Sequence, residues 1–306
     1  MYKLKRSYGK KAFDEWYART PRDLGPDQTN PDAANSEVWS VSSFRQLIEA
    51  VAFLGSMNKR LALYYRGQID DLKPAPALFR NAWPGFDTDK VFQITPANRQ
   101  QFFGALVDMG RCVFEICNER GLGLPRWRGL RDIREVQWAV VQHYGLWPTP
   151  LLDVSSNLRV AASLAMNFVP ASRLSPKTGY LYVAGMPHST GSISYNIDQH
   201  IVLARLQSAC PPVAKRPHYQ DGFLVGRFPL YEADEATAEK SSLLLRLVAK
   251  FKLQDFGDFW DADFPPICKA ALLPSQDPLL DHFSAEFGTT GRHSVRRLAQ
   301  LITARG

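Results

Sequence analysis

The sequence predicts an α+β protein, a small mixed sheet flanked by helices. Apolar residues recur at helical spacing in long stretches, as Phe102, Leu106, Met109, Val113 and Ile116 do between Asn98 and Arg120. Short alternating runs rich in Tyr, Leu, Val and Ile fall between and after those stretches, the clearest being Arg60 to Arg66. The two patterns interleave irregularly, unlike the regular β-α succession of a doubly wound sheet.

In chain order, residues 1–37 read as a flexible basic and polar lead-in carrying Lys3, Lys5, Arg6, Lys10 and Lys11. Residues 38–306 read as one domain whose C-terminal part is helical. Ser43 and Gln46 have capping-box spacing, and Phe44, Leu47, Ile48 and Val51 carry the helix to about Gly55. On the following strand, Leu61, Leu63 and Tyr65 share one face and Ala62, Tyr64 and Arg66 the other. Pro74, Pro76, Pro84 and Pro96 make residues 69–96 a loop. After the helix at 98–120, Ile133, Val136, Val140 and Tyr144 mark another that ends at Gly145. A polar loop leads to an Ala-rich helix over 157–168, with Ser155, Ser156 and Asn157 as caps. Strands are expected at Tyr180–Ala184, Ile201–Leu206 and Gly222–Arg227, and helices at Leu243–Phe251, Leu279–Phe287 and Val295–Ala304.

Composition bounds the function. The chain has 306 residues, 45% hydrophobic and 22% charged, which is enough for a large core and excludes a disordered chain. The net charge of +7 favours anionic partners, with the basic residues scattered. Cys112, Cys117, Cys210 and Cys268 form no CxxC pair and read as reduced, structural thiols, which fits a cytoplasmic protein. No secretory leader or membrane-length apolar run is expected. Walker A, GxGxxG, GxSxG and HExxH motifs are absent.

Three segments hold the candidate chemistry. Arg66, at the end of its strand and followed by a flexible Gly67, can grip a carboxylate or phosphate, or pair with a structural acid such as Asp70 or Asp153. In the stretch from Gln142 to Phe168, His143 is a general base or a partner of its own helix's last carbonyls, while Tyr144 belongs to the apolar stripe. Thr149, Asp153, Ser155 and Ser156 follow; the hydroxyls and helix N-terminus can hold ribose or phosphate, or simply cap the helix. Asp153, drawn inward by Leu151 and Leu152, needs an arginine or several N–H donors. Finally Gln220 and Asp221 precede Gly222, either facing a cleft or forming a plain hairpin turn.

The segments YYRGQ (64–68), PALFR (76–80), QHYG (142–145), LLDVSSNLRVAASLA (151–165) and RPHYQDGFL (216–224) resemble the FRG domain, in order and spacing, over about residues 38–290. That family shows a YRGQ strand, a helix ending QHYG, a PTRLLD loop, an Ala-rich helix and a late R…QxGxF segment. Here GLPTRLLD reads GLWPTPLLD: Trp147 is extra and Pro150 stands where an arginine is usual, which leaves Arg66 or Arg159 to partner Asp153. The layout is also similar to that of ADP-ribosyltransferases, which hold NAD with an arginine and a Ser/Thr segment and use a late Glu or Gln.

That likeness implies an ADP-ribosyltransferase-like fold in which Arg66 binds the pyrophosphate of NAD and Ser155 or Ser156 orients the ribose. Gln220 takes the late position, His143 joins the catalytic set, and Tyr65, Thr149 and Asp153 complete the cofactor pocket. The expected carboxylate is missing at Gln220, with Asp221 and Glu232 nearby. The implied function is an NAD-utilising transferase acting inside the cell, of the toxin or anti-phage effector type, with a small anionic ligand such as a dinucleotide and a protein or nucleic-acid acceptor. One alternative is a non-catalytic nucleotide or nucleic-acid binding module, using the positive charge and exposed aromatics such as Trp127 and Trp147. Another is a metal-dependent nuclease with the metal on Asp153 and Asp221.

Overall fold

The computed structural model describes residues 1–4, 6–18, 38–85, 91–122, 128–166 and 177–287. The first elements are α1 (Lys10–Tyr17), β1 (Trp39–Val41), α2 (Phe44–Met57), β2 (Ala62–Gln68), a 3-10 turn at Ala77–Phe79, and a two-stranded ribbon of β3 (Ala82–Trp83) and β4 (Phe92–Gln93). Then come α3 (Pro96–Glu119), α4 (Arg128–Asp132), α5 (Arg134–His143), β5 (Leu151–Ser155), α6 (Leu158–Met166), β6 (Lys177–Met186), β7 (Ile193–Asn196) and β8 (Ile201–Arg205). The last are α7 (Leu206–Ala209), α8 (Lys215–Tyr219), β9 (Gly222–Arg227), α9 (Glu235–Lys240), a 3-10 turn at Leu243–Arg246, β10 (Leu247–Asp255), α10 (Lys269–Leu272) and α11 (Pro278–Phe287).

The fold is α+β, with a sheet larger than expected. Eight strands run in the order β1-β10-β6-β2-β5-β9-β8-β7. β1 pairs with β10 in parallel, and the other neighbours are antiparallel. Residues in register share a face, so Tyr65, Val183, Ser155, Gly222, Leu224 and Ala204 lie on one side. Helices α2 and α6 cover that side at the β1–β2 end, and α3 and α5 cover it at the β5–β8 end. The opposite side buries Tyr64, Leu152, Val154, Ala184, Phe223 and Val225 with Met1 and Leu243.

Local chemistry sets the helix ends. Ser43 accepts the Gln46 N–H and caps α2, but Gln46 reaches back to the Ser42 N–H, one residue earlier than a true capping box. Thr95 and Asn98 form the reciprocal box that opens α3, with Pro96 in its first turn. Gly145, at φ +68°, ends α5 in the left-handed conformation that favours glycine.

Several expectations need correcting. The opening residues do not hang free: Met1, Leu4 and Ala12 are buried, and α1 packs on α2 through Phe13 and Phe53. Residues 151–155 are a strand, not a loop. Leu243–Phe251 is a 3-10 turn leading into β10, not a helix, because a strand buried on both faces reads as a continuous apolar run. β1 and β7 were not anticipated, and 215–219 is a short helix. Trp147 is buried, its indole N–H given to the Phe102 carbonyl at 2.9 Å, so it is no exposed stacking platform. Gly67 lies inside β2 and is not a hinge: a Cβ there would strike the Ala161 carbonyl of α6. Gly179 of β6 admits Ala165 in the same way. Trp127, Lys5, residues 19–37 and the helix expected at Val295–Ala304 lie outside the described residues.

Candidate functional site

β2 pairs with β6 from Ala62 to Gln68, but with β5 only at Tyr65 opposite Ser155 among the described residues. Beyond that pair the two strands part. An unpaired carbonyl facing the split would be costly, and Arg66 answers it: Nη1 donates to the Asp153 main-chain oxygen at 2.7 Å, in place of a ladder N–H. A recess of about 50 Å³ occupies the split, lined by Tyr65, Arg66, His143, Asp153, Ser155 and Gln220. It shares Arg66, Gly67 and Leu164 with an outer groove of about 810 Å³. The groove's other wall is the 69–81 segment, including Asp70, Lys73 and Arg80. That size suits a small-molecule ligand.

Asp153 is held on both oxygens by adjacent residues at the end of α5. Gln142 Nε2 donates to Oδ2 at 2.8 Å, and His143 Nδ1 faces Oδ1 at 3.4 Å. Gln142 in turn accepts the Thr149 hydroxyl at 2.6 Å, and Thr149 accepts the Leu151 N–H. Burial alone would raise the Asp153 carboxyl, but His143, the Arg66 guanidinium and the Gln142 amide outweigh it and leave the acid below its ordinary range. Burial depresses the His143 imidazole, with Asp153 opposing and Arg216 reinforcing. At neutral pH both directions favour an ionised Asp153 beside a neutral His143. Nε2 of that ring is buried with no hydrogen-bond partner among the described residues.

Arg66 is held from behind. Its Nε donates to Gln68 Oε1 at 2.9 Å, and Gln68 Nε2 donates to the Leu72 carbonyl at 2.8 Å. The Tyr182 hydroxyl reaches the same carbonyl at 3.1 Å and Asp71 at 2.8 Å, and buried Lys250 meets Asp71 at 2.6 Å. Arg66, Tyr182 and Lys250 stand in one register row across three strands. Burial lowers the Arg66 guanidinium to about 10, opposed by Asp153 and reinforced by the nearby charge of Arg80.

The structure thus brings Tyr65, Arg66, His143, Asp153, Ser155 and Gln220 together. Thr149 is buried behind the recess and acts through Gln142; Ser156 is exposed and does not line it. The Ser155 hydroxyl donates to the Gln220 carbonyl at 2.7 Å and accepts the Asn157 N–H, while Asn157 caps α6 through the Arg159 and Val160 N–H groups. Gln220 Nε2 is given to the Leu272 carbonyl at 2.7 Å. Of the two arginines considered for Asp153, it is Arg66 that reaches it, through the main chain. Asp221 lies outside the recess lining, its carboxylate taking the Gln207 and Asn157 amides, and no cluster among the described residues could hold a metal ion.

Sequence reasoning missed Gln68, Arg80 and Gln142. Two of them carried a signal: Gln68 stands two residues after Arg66 and so on its face, and Gln142 adjoins His143. Among the described residues, no helix is long and apolar enough to cross a membrane. No family model matches the chain, and no curated protein or solved structure matches it.

Proposed function

We propose that the chain is an FRG-type, ADP-ribosyltransferase-like enzyme that binds NAD inside the cell, with Arg66 against the diphosphate. One observation carries this reading: three segments remote in sequence line one recess, and its arginine also borders a groove of ligand size. Arg66 spends Nε and Nη1 on the protein and keeps Nη2 for an anion. Breaking the bond to nicotinamide develops positive charge on the ribose, and an ionised Asp153 in the recess supplies the opposite charge. Positioning does the rest, so no strong nucleophile is required.

A second reading rests on a specific contact pattern. The Ser155 hydroxyl and the Gln220 amide already serve protein carbonyls, which favours a module that binds the dinucleotide without turning it over.

Calorimetry with NAD and an assay for released nicotinamide separate the two. In both, Arg66→Ala weakens NAD by at least about tenfold, because one charge-assisted hydrogen bond is worth about 1.5–3 kcal/mol. Binding with release supports the enzyme; binding without release, against every acceptor tried, supports the module. A wild-type protein that does not bind NAD ends both.

A further inference from the structure

We infer that Arg80 is a second anion-binding residue of this site, and that the two guanidinia together select a diphosphate over a single phosphate or carboxylate. The inference rests on the reading above and adds a second anion-binding residue and the selection between one phosphate and two.

Arg80 ends the PALFR segment, just after the 3-10 turn at Ala77–Phe79. That turn is tied to the lead-in of β5, the strand that carries Asp153, because the Leu78 N–H donates to the Thr149 carbonyl at 3.1 Å. Arg80 is therefore held in place relative to Asp153. Its Nε is fixed on the Ala75 carbonyl at 2.9 Å, while the outer fork of the guanidinium has no partner among the described residues. The side chain is exposed and borders the same 810 Å³ groove as Arg66.

Two guanidinia close enough to oppose each other's charge are unfavourable unless something anionic lies between them. Asp153 is near both, but Gln142 and His143 occupy its oxygens and Arg66 holds only its carbonyl, so neither arginine has a forked grip on a carboxylate. Lys73 adds a third positive group at the groove, against Asp70. A diphosphate offers two charged centres and oxygen pairs that match two planar forks; a single phosphate can engage one fork fully.

The test is a calorimetric titration of the full chain with inorganic pyrophosphate and with orthophosphate at fixed ionic strength, with NAD as competitor. The wild type is expected to prefer pyrophosphate by about tenfold or more, the worth of one added charge-assisted contact, and pyrophosphate should displace NAD. Arg80→Gln should bring the preference toward one. Arg80→Lys, which keeps charge and loses the fork, should give an intermediate preference and carries the comparison if the first variant folds poorly. A ratio of two ligands on one preparation is insensitive to the fraction folded.

The inference is overturned if Arg80→Gln keeps the wild-type ratio, or if pyrophosphate fails to displace NAD, while NAD binding still depends on Arg66; the NAD reading then stands without it. A wild type that binds neither NAD nor pyrophosphate removes both.

Discussion

The two edges of β2 solve the same problem with different chemistry. Toward β6 the strand is paired from Ala62 to Gln68, and Gly67 and Gly179 let α6 rest its backbone on the sheet. Toward β5 the pairing stops at Tyr65, and the guanidinium of Arg66 finishes what the ladder leaves open. The first edge needs small and apolar residues, because main-chain partners satisfy one another. The second needs polar side chains, which must then be satisfied in turn, and Gln68, Gln142, Thr149 and His143 supply that support. Empty space and charge collect at the second edge for the same reason: strands that part leave both room and unpaired donors and acceptors.

The contrast can be broken most severely from its closed side. Gly67→Ala forces a methyl into the Ala161 carbonyl, a backbone atom that cannot swing away. It should cost more than about 3 kcal/mol, at the upper end of overpacking effects, read as a fall in the urea midpoint. A near-neutral result would mean that α6 does not close this edge by direct contact.

On the open side, Asp153→Ala leaves the Gln142 amide and the His143 ring without their acceptor. A loss of about 2–3 kcal/mol is expected, since stranded buried polar groups cost about 1–3 kcal/mol each. The Arg66 contact is to the main chain and should survive, so the cost should be smaller than for Gly67→Ala. Equal costs would mean that the two edges of β2 resist disruption alike.

The smallest effect is that of pH. Burial holds His143 below its ordinary 6.5, so below that value the unfolded chain binds the proton more readily than the folded one. Stability is complete above about 6.5 and falls as the pH drops toward the folded value. Asp153, also depressed, adds a loss in the same direction below its ordinary 3.8. Thermal unfolding at pH 7.5 and 5.5 should therefore show a drop in wild type that His143→Gln reduces. An unchanged drop would place the titration elsewhere.

Much of this architecture was legible because it is local. β2, α5, α6 and β9 follow from spacing and end signals in short stretches, such as the alternation before Arg66 and the glycine after Tyr144. β5 was not, because Leu151 and Leu152 face opposite sides of a sheet buried on both and so hide the alternation that marks a half-exposed strand. β10 failed in the same way. The recess was anticipated through Arg66, Asp153 and Gln220, residue types that are expensive to bury. Their partners were harder to see. Nothing near Tyr182 in the chain points to Asp71, nor anything near Lys250, because those contacts exist only once the strands are side by side. Nor can a sequence show that the Ser155 hydroxyl and the Gln220 amide are already taken.

The close seating of α6 also decides which wall of the groove can yield. A helix whose carbonyls lie against strand glycines cannot slide or roll without a backbone collision, so Leu164, set between Ala161 and Ala165, stands on a fixed jaw. In the facing jaw, residues 69–73 are moored by side chains, Asp71 to Lys250 and Tyr182 and the Leu72 carbonyl to Gln68, whereas farther on the main chain is tied at Pro74 to the Leu243 N–H and at Leu78 to the Thr149 carbonyl. Accommodation of guests of different length falls to that moored side, and the mooring at Asp71 sets how far it can travel.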